Sequence, residues 1–181
     1  WIRKLKHAYP EDHLKIMQSS KVKPPLTLRL NSRFFSNPEQ RKNYLSLFKE
    51  AGIHYAEISD IQGQRLSQAI LLEEALPVGQ IPNFYEGACS VQDAGAQLAA
   101  ELLNPKAGQK VLDACAAPGG KAAHLLEQFD IQLDALEIDP DRAKRIQENF
   151  DRLQLTGGEV LIGDAEKPAT WFKENQYDAI I

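Results

Sequence analysis

The sequence predicts an α/β protein in two parts: a small α+β domain, then the first four strands of a mostly parallel sheet flanked by helices. Three observations predict this. From Lys110 onward, apolar runs of strand length ("KVLDAC", "QLDALEI", "EVLIGD", "YDAII") alternate with helical patterns. Ahead of them, a strand, a helix and two more strands follow one another between residues 26 and 74. Finally, a carboxylate stands at the end of each of the first three later strands: Asp113, Glu137 with Asp139, and Asp164.

The elements can be justified in order. Residues 1–20 read as two short helical pieces broken at Tyr9-Pro10, with Leu5, Ala8, Leu14 and Met17 as buried positions. "KVKPP" is a linker, because Pro24-Pro25 cannot continue a helix. In "LTLRLN", Leu26, Leu28 and Leu30 alternate with Thr27, Arg29 and Asn31, the pattern of a half-buried strand with its polar side outward. Asn37 as N-cap, Pro38 in the first turn and Gly52 at the end frame a helix whose apolar face is Tyr44, Leu47, Phe48 and Ala51. "IHYAEIS" and "QAILLEE" are strands. A sheet with a helix on one face leaves its other face open, and such faces often bind RNA, although the usual stacking aromatics are missing from these strands.

"IPNFYEGACSVQD" reads as a loop leading to a helix capped by Ser90, which Asn104-Pro105 and Gly108 terminate. Helices are then expected over 120–129, 140–154 and about 168–174. In the second, Asp139 is the cap, Ala143, Ile146, Phe150 and Leu153 form one stripe, and Gly157-Gly158 is the stop. The domains are 1–24 (helical segment and linker), 25–85 (small α+β domain) and 86–181 (parallel sheet).

Composition excludes several classes. With 43% apolar and 25% charged residues the chain is that of an ordinary globular protein. No apolar run approaches the ~18 residues of a membrane span and no signal peptide opens the chain, so a cytoplasmic location without membrane contact is expected. Cys89 and Cys115 make neither a disulfide framework nor a zinc pattern, and His7, His13, His54 and His124 never fall in ligand spacing, so no metal is expected. The chain starts at Trp1 and stops inside the strand "YDAII", which reads as a piece of a longer protein. The net charge of −4 divides into +7 over residues 1–50 and −11 over 51–181. A basic front on an acidic body points to a polyanion contact, with a solvated charged surface as the plainer reading.

Ligands of such sheets sit beyond the carboxyl ends of the strands, near the start of the first helix. Here that position is the turn "CAAPGGK", residues 115–121. A phosphate-binding P-loop would need Gly where Cys115 stands and Ser or Thr where Ala122 stands, and the adjacent Gly119-Gly120 is not G-x-G-x-x-G. A ligand without phosphate, cationic or neutral at its core and carrying sugar hydroxyls, suits the acids; S-adenosylmethionine matches. The backbone of Cys115, Ala116, Ala117, Pro118, Gly119, Gly120 and Lys121 would face its methionine end, with Lys121 near the carboxylate. Glu137, eighteen residues after Gly119, would accept the ribose hydroxyls, and Asp164 the adenine amino group. Read structurally instead, Gly119-Gly120 is a tight turn, Lys121 a solvated helix start, and Glu137 and Asp164 strand-end acids. Asp139 is a cap rather than a ligand group. Cys115 is a packing residue, since no base is visible to generate its thiolate.

The runs "VLDACAAPGGKAAHLLE", "EGACSVQDAGAQLAAELL", "ALEIDPDRAKRIQENFDRL" and "IGDA" resemble the RNA cytosine-5 methyltransferases, and the resemblance extends over essentially the whole chain. It implies a Rossmann-like class I methyltransferase sheet, incomplete at four strands, after a small RNA-binding domain. It also implies S-adenosylmethionine as cofactor, 16S ribosomal RNA as partner, a monomer, and methyl transfer to C5 of a cytosine. Glu137 stands where relatives often have Asp, and Ala122 where many have Thr. The family's two cysteines, one attacking C6 and one releasing product, would fall beyond Ile181, so no catalytic residue is expected within this chain and no transfer by it alone. Two other readings stay open: a non-catalytic RNA-binding protein with a decayed cofactor domain, and a nicotinamide-dependent oxidoreductase.

Overall fold

The computed structural model describes residues 1–21, 24–172 and 176–181. Two short helices, α1 (Ile2–Ala8) and α2 (His13–Ser19), open the chain and part at Tyr9-Pro10 as expected. Only Leu5 of their four expected anchors is buried; Met17 is half-buried, while Ala8 and Leu14 face solvent, since a seven-residue helix has little of the chain to lie against. Residues 22 and 23 of the expected linker lie outside the described residues.

The first sheet is antiparallel, in the order β2-β3-β1-β4: β1 (Leu26–Leu30), β2 (Tyr55–Ile61), β3 (Gln64–Leu72) and β4 (Cys89–Val91). Helix α3 (Pro38–Glu50) connects β1 to β2. Asn37 caps it by accepting from the Gln40 N–H at 3.0 Å. Its Tyr44, Leu45 and Phe48 pack with Leu28, Leu30, Ile70 and Leu72 on one face of the sheet. Leu45 takes the place expected for Ala51, which is exposed at the helix end.

Two expectations are corrected. β4 occupies residues assigned to a loop and to a Ser90 cap; Ser90 pairs with Arg29 across the sheet, and the following helix, α4 (Ala94–Leu103), is entered from Asp93. Nor is β1 half-buried. It lies between β3 and β4, and Thr27, Arg29 and Asn31 are as buried as the leucines. The face expected to be open is covered by α4, whose Ala94 and Leu98 pack on Leu66 and Ala69 of β3.

The second sheet is parallel, in the order β7-β6-β5-β8: β5 (Lys110–Asp113), β6 (Gln132–Glu137), β7 (Gly158–Ile162) and β8 (Ala179–Ile180). This is the Rossmann-like arrangement, in which the chain leaves β5, moves outward to β7, and returns to the other side of β5 with β8. Helix α5 (Gly120–Gln128) and helix α6 (Pro140–Arg152) cross between these strands. Val111, Leu133 and Ala135 form one core with Ala122, Leu125 and Leu126 of α5 and Ile146 and Phe150 of α6. The full expected stripe of α6 (Ala143, Ile146, Phe150, Leu153) is buried. Asp139 caps α6 from its side chain, accepting from Asp141 N–H at 2.8 Å and Arg142 N–H at 3.2 Å. The helix ends at Arg152, and Gln154 takes the positive φ (55°) ahead of Gly157.

The opposite sheet face carries Leu112, and a helix was expected at about 168–174. Within the described residues, Pro168–Thr170 forms a single 3-10 turn, and residues 173–175 fall outside them. Trp171, Phe172 and Tyr177 stand over that face instead, around an apolar cavity with Leu112, Ala114 and Ile180. Among the described residues no helix is long and apolar enough to cross a membrane.

Candidate functional site

The turn between β5 and α5 is held from three sides. Ala116 N–H donates to the Leu136 carbonyl of β6 (3.0 Å), seating the turn over the neighbouring strand. Gly119 N–H closes it on the Ala116 carbonyl (2.6 Å), and Gly119 itself sits at φ 98°, where an L side chain is strained. A Cβ there would also meet Ile146 of α6 at 3.2 Å. Three of the turn's carbonyls each accept from a different side chain. Ala117 O accepts from Arg142 Nη2 (3.4 Å), Pro118 O from Asn149 Nδ2 (2.8 Å), and Gly120 O from Arg29 Nη1 (2.9 Å). The N–H groups of Ala117, Gly120 and Lys121 find no acceptor among the described residues. Such donors at a helix start suit a carboxylate or another anionic group.

The acids line up beside this turn. Asp113 is buried at the end of β5; burial raises its carboxyl above the usual range, against the Cys115 and Ala122 N–H groups and the Lys121 charge. Glu137, 4% exposed, ends β6 and receives Asp139 N–H (3.1 Å) and Arg142 Nη1 (3.2 Å), both on Oε1. Arg142 therefore ties Glu137 to the turn through the Ala117 carbonyl. Asp164 follows β7, and Gly163 N–H bonds the Glu137 carbonyl (3.0 Å), so the two acids stand at adjacent strand ends. The Asp164 carboxyl is held below its ordinary range by Lys167 and by the Glu166 N–H, so its side chain is engaged within its own loop.

Of the nine residues expected at the site, Ala116 and Gly119 are buried in the seat of the turn. Cys115, Pro118 and Lys121 are exposed on it, and Ala117 and Gly120 are intermediate. Sequence reasoning missed Arg142, Asn149 and Arg29. The first two lie on the polar flank of α6, where nothing in the spacing separates a residue that binds a loop carbonyl from a solvated one. Arg29 was read as an outward polar residue of a half-buried strand.

Arg29 is instead the most buried charge described. Its Nε and Nη2 make a bidentate pair with Glu127 of α5 (2.9 and 2.6 Å), and Nη1 reaches Gln92 and the Gly120 carbonyl. One guanidinium thus joins the first sheet to the first helix of the second. Burial pushes the Glu127 carboxyl up, and Arg29 draws it back. A second clamp works from α6: Arg152 donates to the Phe84 and Cys89 carbonyls (2.6 and 3.0 Å) and lies 4.4 Å from the Phe84 ring centroid.

His124, in the same helix as Glu127, is 1% exposed, and neither ring nitrogen has a hydrogen-bond partner among the described residues. Burial, with the nearby Arg29 charge, lowers it to about 3. The unfolded chain takes up a proton near pH 6.5 while the folded one refuses it, so stability is full above that value and falls as the solution is acidified toward 3. A penalty of about 2 kcal/mol at pH 5 follows. His124→Leu should remove most of it, so that the variant's melting temperature changes less than the parent's between pH 7.5 and 5. Parallel pH profiles would refute this.

Residues 100–181 match the family model described as 16S rRNA methyltransferase RsmB/F, and residues 1–79 match the ferredoxin-like domain of the same RsmF/B-like proteins. Ribosomal RNA small subunit methyltransferase B of Vibrio cholerae is 41% identical over 186 residues, which cover 100% of this chain and 40% of that protein. The chain belongs to this family. The Shewanella oneidensis protein of the same name is 42% identical, over 99% of this chain and 40% of its own length. A crystal structure of a methyltransferase homolog protein from Pyrococcus horikoshii shares the fold, with a TM-score of 0.74 at 20% identity over 95% of this chain and 54% of the other. The chain spans about 40% of the length of the curated relatives it matches.

Proposed function

We propose that this chain is the cofactor-binding and RNA-domain portion of an enzyme that transfers a methyl group from S-adenosylmethionine to C5 of a cytosine in 16S ribosomal RNA. The observation that carries the proposal is the joint anchoring of the turn and Glu137 by Arg142, beside backbone donors left without acceptors. The donor set fits the cofactor. The free N–H groups of Ala117, Gly120 and Lys121, with the Lys121 ammonium, suit a carboxylate. Glu137 is a buried acceptor for vicinal hydroxyls, and Asp164 is an acceptor one strand further on. When bound, the cofactor supplies an electrophilic methyl group on sulfonium sulfur. The residues here bind and orient it: Arg142 fixes the rotamer of Glu137, and Asn149 and Arg29 fix the turn through the Pro118 and Gly120 carbonyls.

Neither cysteine present suits nucleophilic attack. Cys89 is buried in the core of the first sheet, with its thiol pushed up to about 11 by burial, and Cys115 has no base among its described contacts. The nucleophile is therefore proposed to come from outside these 181 residues. The names of the relatives favour ribosomal RNA over an oxidoreductase substrate, and the intact turn with both acids speaks against decay of the site.

The test is to incubate a full-length protein containing this chain with methyl-labelled S-adenosylmethionine and unmodified small-subunit RNA, and then to analyse nucleosides by mass spectrometry. Label in 5-methylcytidine is expected, and none from residues 1–181 alone. Label in another nucleoside, or no transfer by the full-length protein, would overturn the assignment.

A further inference from the structure

We infer that the ferredoxin-like domain carries a preformed pocket for one nucleobase of single-stranded RNA, on its α3 side. This rests on the RNA reading proposed above and adds where the RNA is gripped. The sheet face, the usual platform in domains of this type, is unusable here: Arg29 and α4 occupy it.

A cavity of about 390 Å³ opens between the start of α3 and the loop before β4, lined by Phe34, Phe35, Gln40, Asn43, Leu47 and Asn83. That volume suits a small ligand such as a base with its sugar. Among the described residues no carboxylate lines it. Phe34 is 37% exposed and stands edge-on to Phe35, with ring centroids 5.2 Å apart, and Phe35 leans on Tyr44 at 5.1 Å. The aromatic wall is thus braced from behind while Phe34 keeps a free surface for stacking. The side-chain amides of Asn43 and Asn83 bond to no described residue. Gln40 spends its Oε1 on the Ser36 N–H (2.7 Å), leaving its amide donors. Each free amide offers a donor and an acceptor side by side, the complement of a Watson–Crick edge.

Asn83 is held in place. It adopts φ 50°, its carbonyl accepts from Ala88 N–H (3.0 Å), and Arg152 clamps the next residue's carbonyl. Cations flank the pocket for the phosphates. Arg33, adjacent to Phe34, rests its guanidinium on the Glu127 and Phe129 carbonyls (3.3 and 3.2 Å), with no carboxylate partner among the described residues. Lys42, beside Asn43, is exposed and enters no described ion pair.

The experiment is fluorescence anisotropy with labelled oligo(C), oligo(U) and oligo(A) of about 12 nucleotides, over a salt series. Phe34→Ala is expected to weaken binding roughly ten-fold or more through lost stacking, with an unchanged log–log salt slope because no charge is removed. Asn83→Gly, which tolerates the positive φ, should alter the ranking of the three oligonucleotides. Lys42→Ala should make the slope shallower by about 0.7. If Phe34→Ala melts early, Asn43→Ala, on the exposed flank of α3, repeats the test without disturbing the aromatic cluster. Wild-type affinity and ranking in Phe34→Ala, Asn43→Ala and Asn83→Gly would remove the pocket while leaving the RNA reading in place. No binding of any oligonucleotide by the unsubstituted protein at low salt would remove both.

Discussion

Arg29→Ala is expected to cost the folded protein about 3–5 kcal/mol, because it leaves Glu127 buried without its counter-charge. Both side chains are essentially inaccessible, at 0% and 1% exposure, so water cannot replace the lost guanidinium. The deficit should depend on pH. Burial already displaces the Glu127 carboxyl upward, and removing Arg29 displaces it further. A carboxyl raised in this way favours folding below its unfolded value near 4.3 and loses that contribution as pH rises through the folded value. The variant should therefore be weakest at neutral pH and recover part of its loss on acidification. Replacing both partners, Arg29→Met with Glu127→Met, should restore most of the stability. It would stop short by about 1 kcal/mol because Gln92 and the Gly120 carbonyl lose their donor. Chemical denaturation midpoints of the two variants against the parent decide this; a loss in Arg29→Ala below about 1 kcal/mol would mean the pair is worth no more than a surface bridge.

The second large effect is on binding. In a full-length protein containing this chain, Glu137→Ala should weaken S-adenosylmethionine binding roughly 100-fold, the equivalent of two hydrogen bonds to a charged acceptor. The variant should fold, because Arg142 is 53% exposed and can hydrate once its partner is gone. Asp139→Ala provides the contrast. It removes the α6 cap, costs about 1 kcal/mol of stability, and should leave the affinity alone. Calorimetric titration of both would separate ligand contact from scaffold; unchanged affinity in Glu137→Ala would cancel its assignment to the ribose.

Much of this was legible in the sequence because the signals are local. Asp139 followed by Pro140 and a four-residue apolar stripe specifies α6 whatever surrounds it, and the structure buries all four. The strand–helix alternation after Lys110 likewise specifies a parallel sheet, since only crossovers can join strands running the same way. The turn at 115–121 and the acids at the strand ends could be located because topology places ligands there.

What failed locally was everything set by partners distant in sequence. β4 is three residues long and carries no pattern of its own; it exists because β1 offers an unpaired edge. Alternation in "LTLRLN" suggested a wet face, but alternation reports only that two faces differ, not that one is solvated. Glu127 lies 98 residues from Arg29, and no spacing rule connects them.

By itself, then, the sequence determined most of the order of elements, though not β4, together with the caps of α3 and α6 and the location of the candidate ligand turn, each written within a few neighbouring residues. Only the tertiary structure decided which polar side chains are buried and paired. Arg29 became an interdomain latch instead of a surface cation, and Arg142 became the link from Glu137 to the turn. The reason is physical: desolvation and charge pairing depend on what folding brings within about 3 Å, and that neighbourhood is assembled only when the two sheets pack through α4 and α5.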